Sequence, residues 1–564
     1  MLNLINTAVT EIHRVLLEAT GRCIADELLP SEPIPAFAVE IPADRTHGDF
    51  ASNIAMISAK AFHMPPRKIA EAIISKIDLT GTCLSQVQTA GPGFINFFVS
   101  QDWYTGVLKA IDCEGEQYGS SDIGSGKKVM VEFVSANPTG PMHMGNARGG
   151  ALGDCLAAVL ERAGYDVTRE FYINDAGNQI EKFAKSLEAR YLQIYKGEDA
   201  VQVPEDGYQG DDIRERAKEF SLLNGDKFVE APSEERKKEL VAYSLEKNVT
   251  KLHDDLLKYR IEYDVWFRES TLHNSGEVTQ ALDILKNKGY TYEKDGAVWY
   301  AATKFGCEKD EVLVRANGIP TYFAADIAYH YNKFVKRGFD RVINVWGADH
   351  HGHVARLKGA MDAIGIDGSK LDVVLMQLVR LTRGGEVVRM SKRTGKAISL
   401  DDLLDDVPVD AARFFFNLRE ANSQMEFDLA LAVEQSSQNP VYYVQYAHAR
   451  ICSIIRNLAA EGITPRDCTH EELNLLNSSE EHELIRYLGT LPSEIESAAK
   501  EYDPARITRF VLELATLFHK FYNARRVKGE NEKIMQARLN LCVCVRDTIR
   551  NVLRMLKIDA PDTM

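Results

Sequence analysis

No run of this 564-residue chain approaches the ~20 consecutive apolar residues of a membrane span, which excludes a helical membrane protein. The first residues, MLNLINTAVTEIHRVLLEA, lack a basic leader, an apolar core and a cleavage site. They are expected to form an amphipathic helix with Leu2, Ile5, Val9, Ile12 and Leu16 inward, not a signal peptide. Cysteine is sparse and scattered. None of the nine sits in a CxxC pair, and the one-residue spacing of Cys542 and Cys544 suits neither a zinc knuckle nor a redox motif. Free thiols in a reducing cytoplasm are the expectation. There is no low-complexity tract, and 45% apolar with 26% charged residues is the composition of a soluble globular protein.

Positive charge is also in short supply. The net charge is −15, which on average argues against nucleic acid, because phosphate contacts need Lys and Arg. The average hides a gradient: from Pro504 to Lys557, twelve Lys/Arg stand against four Asp/Glu, a local charge of +8. An RNA-binding segment and an ordinary uneven surface both fit, and charge alone leaves the choice open.

What is present is organised around VMVEFVSANPTGPMHMGN, Val129 to Asn146. Val129, Met130, Val131, Phe133 and Val134 read as a buried parallel strand. A Pro- and Gly-rich turn follows, and Ala147–Ala163 has helical apolar spacing that stops at Gly164. A strand, a tight turn and a helix N-terminus make an anion site, since unpaired N–H groups and the helix dipole face the turn. Gly140 and Gly145 allow close backbone approach, and His143 and Asn146 add side-chain donors.

The chain is too long for one domain, and three or four are expected. Residues 1–115 read as an α+β unit: Phe37–Ile41 alternates like a strand, Asn53–Ala61 is helical, and Ala90–Ser100 reads as a strand. Phe94, Asn96 and Phe97 fall on an expected sheet edge, where they could stack on an unpaired base or simply be core. Residues 116–404 alternate strands (Val129–Val134, Val167–Ile173, Arg341–Trp346, Leu371–Gln377) with helices, which predicts an α/β doubly wound parallel sheet. Ligands of such sheets lie beyond the carboxyl ends of the strands, where Ser135, Asn137, Asp349, His350 and His351 cluster. A polar, mostly helical insertion at about 190–260 carries no readable motif. Residues 405–439 connect to an all-α bundle at 440–564, with helices expected at Pro440–Arg456, Ile507–Tyr522 and Ala537–Leu556.

A second piece bears on the anion turn. VRMSKRTGK, Val388 to Lys396, follows the last strand and a Gly-Gly loop, and its tip of Ser391, Lys392 and Arg393 could fold over a pyrophosphate. A His–Gly turn after the first strand with a basic loop after the last is a far more specific pair than either alone.

HMGN at 143–146 resembles the HIGH signature of class I aminoacyl-tRNA synthetases, and RMSKR at 389–393 resembles their KMSKS loop. VEFVSANPTGPMHMGNARG, FYINDAGNQI, GIPTYFAADIAYH and WGADHHGHV together resemble the bacterial type of the arginyl-tRNA synthetase family. GDFASNIAM resembles that family's additional N-terminal domain, and YVQYAHARICSI its helical anticodon-binding domain. The sequence departs at Asn146, where the signature has His, and at Arg389 and Arg393, where the loop has Lys and Ser.

The resemblance implies a Rossmann-type catalytic domain that joins L-arginine to tRNA(Arg) through arginyl-adenylate. ATP with Mg²⁺ would be a substrate, mostly held by phosphates and water. It further implies a monomer with neither DNA nor membrane partners, and a tRNA requirement for the activation step. The implied catalytic residues are His143, Asn146 and Lys392. ATP would contact Ala136, Asn137, Pro138, Thr139, Gly140, Pro141 and Met142 through His143, Met144, Gly145 and Asn146, and the loop Arg389, Met390, Ser391, Lys392 and Arg393.

For arginine, a planar, always charged guanidinium needs carboxylate acceptors. Tyr322 and Asp326, four apart, share a helix face, and Asp326 is the candidate guanidinium partner. Glu132, a carboxylate within an apolar strand, holds the pocket or meets the substrate. Ser135 and Asn137 suit the amino acid's α-groups, and His350 completes the set. His350, His351 and His353 point to ATP or substrate contact, or to a purely structural role, rather than to zinc, and no structural metal is expected. Tyr446, Arg450, Tyr522 and Arg525 are tRNA candidates in the bundle, as are Phe94 and Asn96 in the N-terminal domain. Two rivals stand beside this reading: another nucleotidyl-transferring enzyme with the same signature, and a tRNA binder that does not charge.

Overall fold

The computed structural model describes residues 3–42, 44–388, 398–529 and 531–564. Five parallel strands form its central sheet. From one edge to the other they are Leu371–Met376, Arg341–Gly347, Lys128–Glu132, Asp166–Ile173 and Val265–Arg268. In chain order this is 5-4-1-2-3, so the direction of winding reverses between Lys128–Glu132 and Arg341–Gly347. A cleft for ligands opens beyond the carboxyl ends of the strands at such a reversal. Val129, Met130 and Val131 are fully buried because helices cover both faces of the sheet, which is why the first strand reads as a continuous apolar run. The fifth strand was not legible: Val265–Arg268 is four residues long, and the stacking of Trp266 on Phe171 secures it.

The helix after the first strand runs Met144–Arg162 and begins three residues before its apolar spacing does. Its early start is a capping effect. Asn146 Oδ1 accepts the His143 N–H at 3.1 Å, closing the first turn. Gly153 lets this helix lie on the sheet, since a Cβ there would come within 2.3 Å of the Phe133 ring.

The insertion consists of helices Gly177–Lys196, Asp211–Asn224 and Ser233–Lys258 around a small core of Phe183, Leu187, Tyr191, Ile213 and Phe220. It also touches the signature turn: Asn248 Nδ2 donates to Pro138 O at 2.8 Å. The C-terminal bundle contains Pro440–Ala460, Ala505–Ala524 and Glu532–Met555.

In the N-terminal unit the first helix spans Leu4–Ala25 with Ile5, Ile12 and Leu16 buried. Val9 is only partly buried, and Leu2 lies outside the described residues. Its sheet corrects one expectation. The order is Val39–Glu40, Phe50–Ser52, Phe94–Val99, Leu84–Ala90, so Phe94–Val99 is an interior strand, not an edge. The neighbouring strand Leu84–Ala90 is the cause, and its polar sequence LSQVQTA hid it. Asn96 is 1% exposed, and only Phe94 reaches the surface.

Candidate active site

Two cavities meet at the N-terminus of the Met144–Arg162 helix. One, of about 820 Å³, is lined by His143, Met144, Gly145, Gln377–Leu381, Val387, Val388 and Ile398. The other, of about 890 Å³, is lined by Glu132, Ser135, Asn146, Asp326, Trp346, His350 and His353 among others. His143, Gly145 and Gln377–Val379 border both. A Cβ on Gly145 would meet nothing within 4 Å, so the backbone there is open to a ligand. A Cβ on Gly140 would lie 3.6 Å from Asp212 instead.

The end of the first strand is bent to serve this cleft. Val134 and Ser135 have φ of 68° and 44°, left-handed values that two consecutive non-glycine residues, one of them β-branched, adopt only under constraint. Ser135 Oγ accepts the Tyr172 N–H at 3.1 Å. That leaves the hydroxyl proton as a donor for the cavity. Asn137 lies beyond the bend and is exposed, and it does not line either cavity.

His143 is the N-cap of the signature helix and is exposed. Asn146 commits its carbonyl oxygen to the His143 N–H. Its Nδ2 makes no hydrogen bond among the described residues and remains a donor. Two positions along, Arg148 is completely buried. Among the described residues no carboxylate meets it; it donates to Gln377 O, Ser423 O and Glu420 O at 2.8–3.1 Å, and burial pushes its pKa down to about 10. It ties the helix to Gln377, which borders both cavities. Its proximity to the signature was the available signal, but nothing in the sequence marked it as buried.

The basic loop Arg389, Met390, Ser391, Lys392 and Arg393 lies outside the described residues. Its flanks are within them. Val388 and Ile398 line the first cavity, Met144 N donates to Ile398 O at 3.1 Å, and His143 and Ser399 form an antiparallel bridge.

In the second cavity Glu132 is buried and spoken for. Lys333 Nζ, fully buried, donates to Glu132 Oε2 at 2.5 Å and to Asn344 Oδ1 at 3.4 Å, and it lies over the Tyr329 ring. Glu170 is likewise paired with Arg337 at 2.5 Å and accepts from the Tyr329 hydroxyl. Burial drives His330 well below the ordinary imidazole range, so the ring is neutral. Its Nδ1 donates to Asp326 O at 2.8 Å and its Nε2 accepts from Asn344 at 3.2 Å. Of the three carboxylates of this cavity, Glu132 is enclosed, Asp326 is 33% exposed and Asp349, at the opening, is 83% exposed.

Asp326, Tyr329, His330 and Lys333 stand at i, i+3, i+4 and i+7 along the Tyr322–Tyr331 helix and its π-helical continuation Asn332–Lys336. That spacing is one helix face. Sequence reasoning stopped at Tyr322 and Asp326, although the same periodicity carried the rest. Tyr322 itself, 38% exposed, lines a smaller cavity with Gly177 and Glu269, and its hydroxyl accepts from Gln179 N. His350 is exposed beside Trp346, whereas His353 turns inward to Asp326, so the histidine triplet does not converge.

In the bundle, three of the four RNA candidates come together. The Arg450 guanidinium lies over Tyr446 (4.9 Å) and Tyr522 (5.3 Å), with Tyr442 stacked parallel to Tyr446. His519 joins them, its pKa lowered to about 4 by burial first and by Arg450 second. Arg525 is drawn away to Glu480 at 2.9 Å. The surplus of cations in 504–557 is largely neutralised by acids from elsewhere in the fold. Arg506, Arg509, Lys520, Lys528 and Arg538 pair within the bundle, while Arg554 and Lys557 reach Glu116 and Asp154.

A doubly wound sheet with this helix-terminal double cavity and a helical bundle behind it defines a class I aminoacyl-tRNA synthetase. Family matches agree. Residues 108–455 match the model for "tRNA synthetases class I (R), catalytic domain", residues 8–99 the arginyl tRNA synthetase N-terminal domain, and residues 444–564 the DALR anticodon binding domain. The chain is 58% identical over its whole length to an arginine–tRNA ligase of Caldanaerobacter subterraneus, covering all of that protein. It is 57% identical to an arginine–tRNA ligase of Acetivibrio thermocellus, again over all of both chains. The solved arginyl-tRNA synthetase of Thermus thermophilus shares the fold, with a TM-score of 0.72 at 22% identity over 98% of this chain and 100% of that one. The chain belongs to the arginyl-tRNA synthetase family.

Proposed function

We propose that the chain activates L-arginine and esterifies it to tRNA(Arg) in two steps, with MgATP as substrate. The arginine carboxylate attacks the α-phosphorus, pyrophosphate leaves, and arginyl-adenylate forms. A hydroxyl of the tRNA's terminal adenosine then attacks the activated carbonyl, and AMP leaves. Neither step needs a covalent bond to the protein. The work is positioning and charge stabilisation. One observation carries this reading: the two cavities share His143, Gly145 and Gln377–Val379, so a nucleotide in one and an amino acid in the other meet at a helix N-terminus.

His143, the Asn146 side-chain amide and the Gly145 N–H face the α-phosphate. Lys392 takes the pyrophosphate, a role supported by the flanks of its loop on the nucleotide cavity. Arg389, Met390, Ser391 and Arg393 would close over the nucleotide with it. Asp326 meets the guanidinium, and Glu132 with Lys333 forms the neutral floor of the pocket. Ser135 faces the α-carboxylate; His350 lines the same cavity, and Tyr322 lines the smaller one with Glu269.

The division into 1–115, 116–404, 405–439 and 440–564 assigns tRNA contacts to both ends of the chain. The stacking surface of Tyr446, Arg450 and Tyr522 suits unpaired anticodon bases. Phe94 remains available to the tRNA elbow; Asn96 is enclosed.

Labelled arginine incubated with the purified protein, ATP and total tRNA tests the proposal. Acid-precipitable arginine that depends on both ATP and tRNA is the expected result. Its absence sinks it.

A further inference from the structure

Asp326 is not left to find its own orientation. Its Oδ2 accepts a hydrogen bond from His353 Nε2 at 3.0 Å. The other ring nitrogen faces a cation: Arg356 NH2 lies 3.4 Å from His353 Nδ1. A guanidinium only donates, so Nδ1 is the acceptor and the ring proton sits on Nε2, aimed at the carboxylate. Arg356 is held in turn by Glu311, NH1 to Oε1 at 2.7 Å. The imidazole is wedged between the Trp346 ring at 5.6 Å and the edge of Phe323 at 5.7 Å. The other nearby imidazole, His330, has both nitrogens engaged, on Asp326 O and on Asn344. Glu311 thus reaches Asp326 through an unbroken chain of Arg356 and His353, drawn from a strand (Glu311–Val314) and a helix (His351–Ile364) that flank the Tyr322–Tyr331 helix in sequence.

We propose that His353 is the positioning residue of the guanidinium pocket, its tautomer set by Arg356 and Glu311, and that it fixes one oxygen of Asp326 so that the other is presented to arginine. The inference rests on the reading of Asp326 as the guanidinium partner. Its physical content is preorganisation. The terminal torsion of an aspartate is soft, and a fork-shaped guanidinium discriminates by the direction of the oxygen it meets. A neutral donor orients the carboxylate while leaving it its full charge, which a cationic partner would offset. None of these four residues lines the first cavity, the one proposed for the nucleotide.

Charging kinetics of the full-length protein with tRNA test it. His353→Ala should raise the arginine KM about tenfold, the scale of one hydrogen bond to a charge, with kcat and the ATP KM within about threefold. His353→Gln, whose Nε2 can take the place of the ring N–H, should recover most of the loss. In the double variant with Asp326→Asn, His353→Ala should add nothing beyond Asp326→Asn alone. A parallel rise in the ATP KM, a Gln variant no better than Ala, or additive losses would each overturn the positioning role. The two failures are separable. If Asp326→Asn leaves the arginine KM unchanged, the pocket reading falls and takes the inference with it. If Asp326→Asn is impaired while His353→Ala is normal, only the inference falls.

Discussion

Two side chains carry opposite charge problems in one cleft. Glu132 is enclosed and neutralised by Lys333, whereas Asp326 keeps a third of its side chain exposed and accepts from the His353 ring. In the proposed pocket, guanidinium attraction therefore falls mainly on Asp326. Because solvent reaches it, losing it should cost less than stranding a fully buried charge. Asp326→Asn is expected to raise the arginine KM by about ten- to a hundredfold, roughly 1.5–3 kcal/mol, with the ATP KM unmoved. Asn146 divides its amide between two tasks, the oxygen on His143 N and the nitrogen left over. Asn146→Asp keeps the acceptor and adds a negative charge. It should leave thermal stability nearly intact while raising the ATP KM; an unchanged ATP KM would mean that no phosphate lies near this amide. A sequence reader could see the departure from the signature at Asn146. The compensating contact could not be seen, because it depends on a first helical turn that the apolar spacing does not announce.

The secondary elements were legible where periodicity was strong and obscure where a neighbour decided. Four of the five central strands and the long bundle helices follow their apolar patterns. The short strand Val265–Arg268 and the polar strand Leu84–Ala90 exist because adjacent strands supply partners, which no local pattern records. The signature helix also has a buried role at mid-length. Asp154 is buried between Arg413 at 2.6 Å, Arg169 at 3.2 Å and Lys557 at 3.1 Å. Burial alone would raise its carboxyl pKa, but those cations outweigh it and hold it below the ordinary range. They come from the stem helix Val409–Phe416, the sheet and the chain's last turn, so this one carboxylate joins catalytic domain to bundle. Asp154→Ala leaves Arg413, 0% exposed, without its anion. A loss of about 3–5 kcal/mol in urea unfolding is expected. A loss below 1 kcal/mol would show the hub to be dispensable.

His519 gives the bundle a pH signature. Its folded pKa, about 4, lies below the ordinary value near 6.5, so the unfolded chain binds the proton more readily. Its contribution is complete above about pH 6.5 and is lost as pH falls toward 4. The urea midpoint should drop between pH 7 and pH 5, and His519→Gln should flatten that drop.

At the scale of the whole molecule, charge explains how an acidic protein can serve an RNA substrate. The cations of 504–557 mostly answer acids within the fold, so the local +8 read from sequence is not a bare basic patch. What the bundle presents instead is a stacking surface, an arginine between tyrosines, which is the surface proposed for unpaired bases. The long family motifs made the activity legible in the sequence, because they recur in order over nearly the whole chain. The pairing of carboxylates with internal cations was not legible, since Glu132 and Lys333 are 201 positions apart. The central claim is that one cleft recognises a guanidinium and activates its carboxylate. The most direct test is competition in the charging assay, with labelled arginine, ATP and total tRNA, by canavanine, citrulline or lysine. Canavanine, which keeps a guanidinium-like fork, should compete; citrulline, its neutral counterpart, and lysine, a point charge, should compete at least about a hundredfold more weakly. Equal competition by citrulline and canavanine would contradict the account.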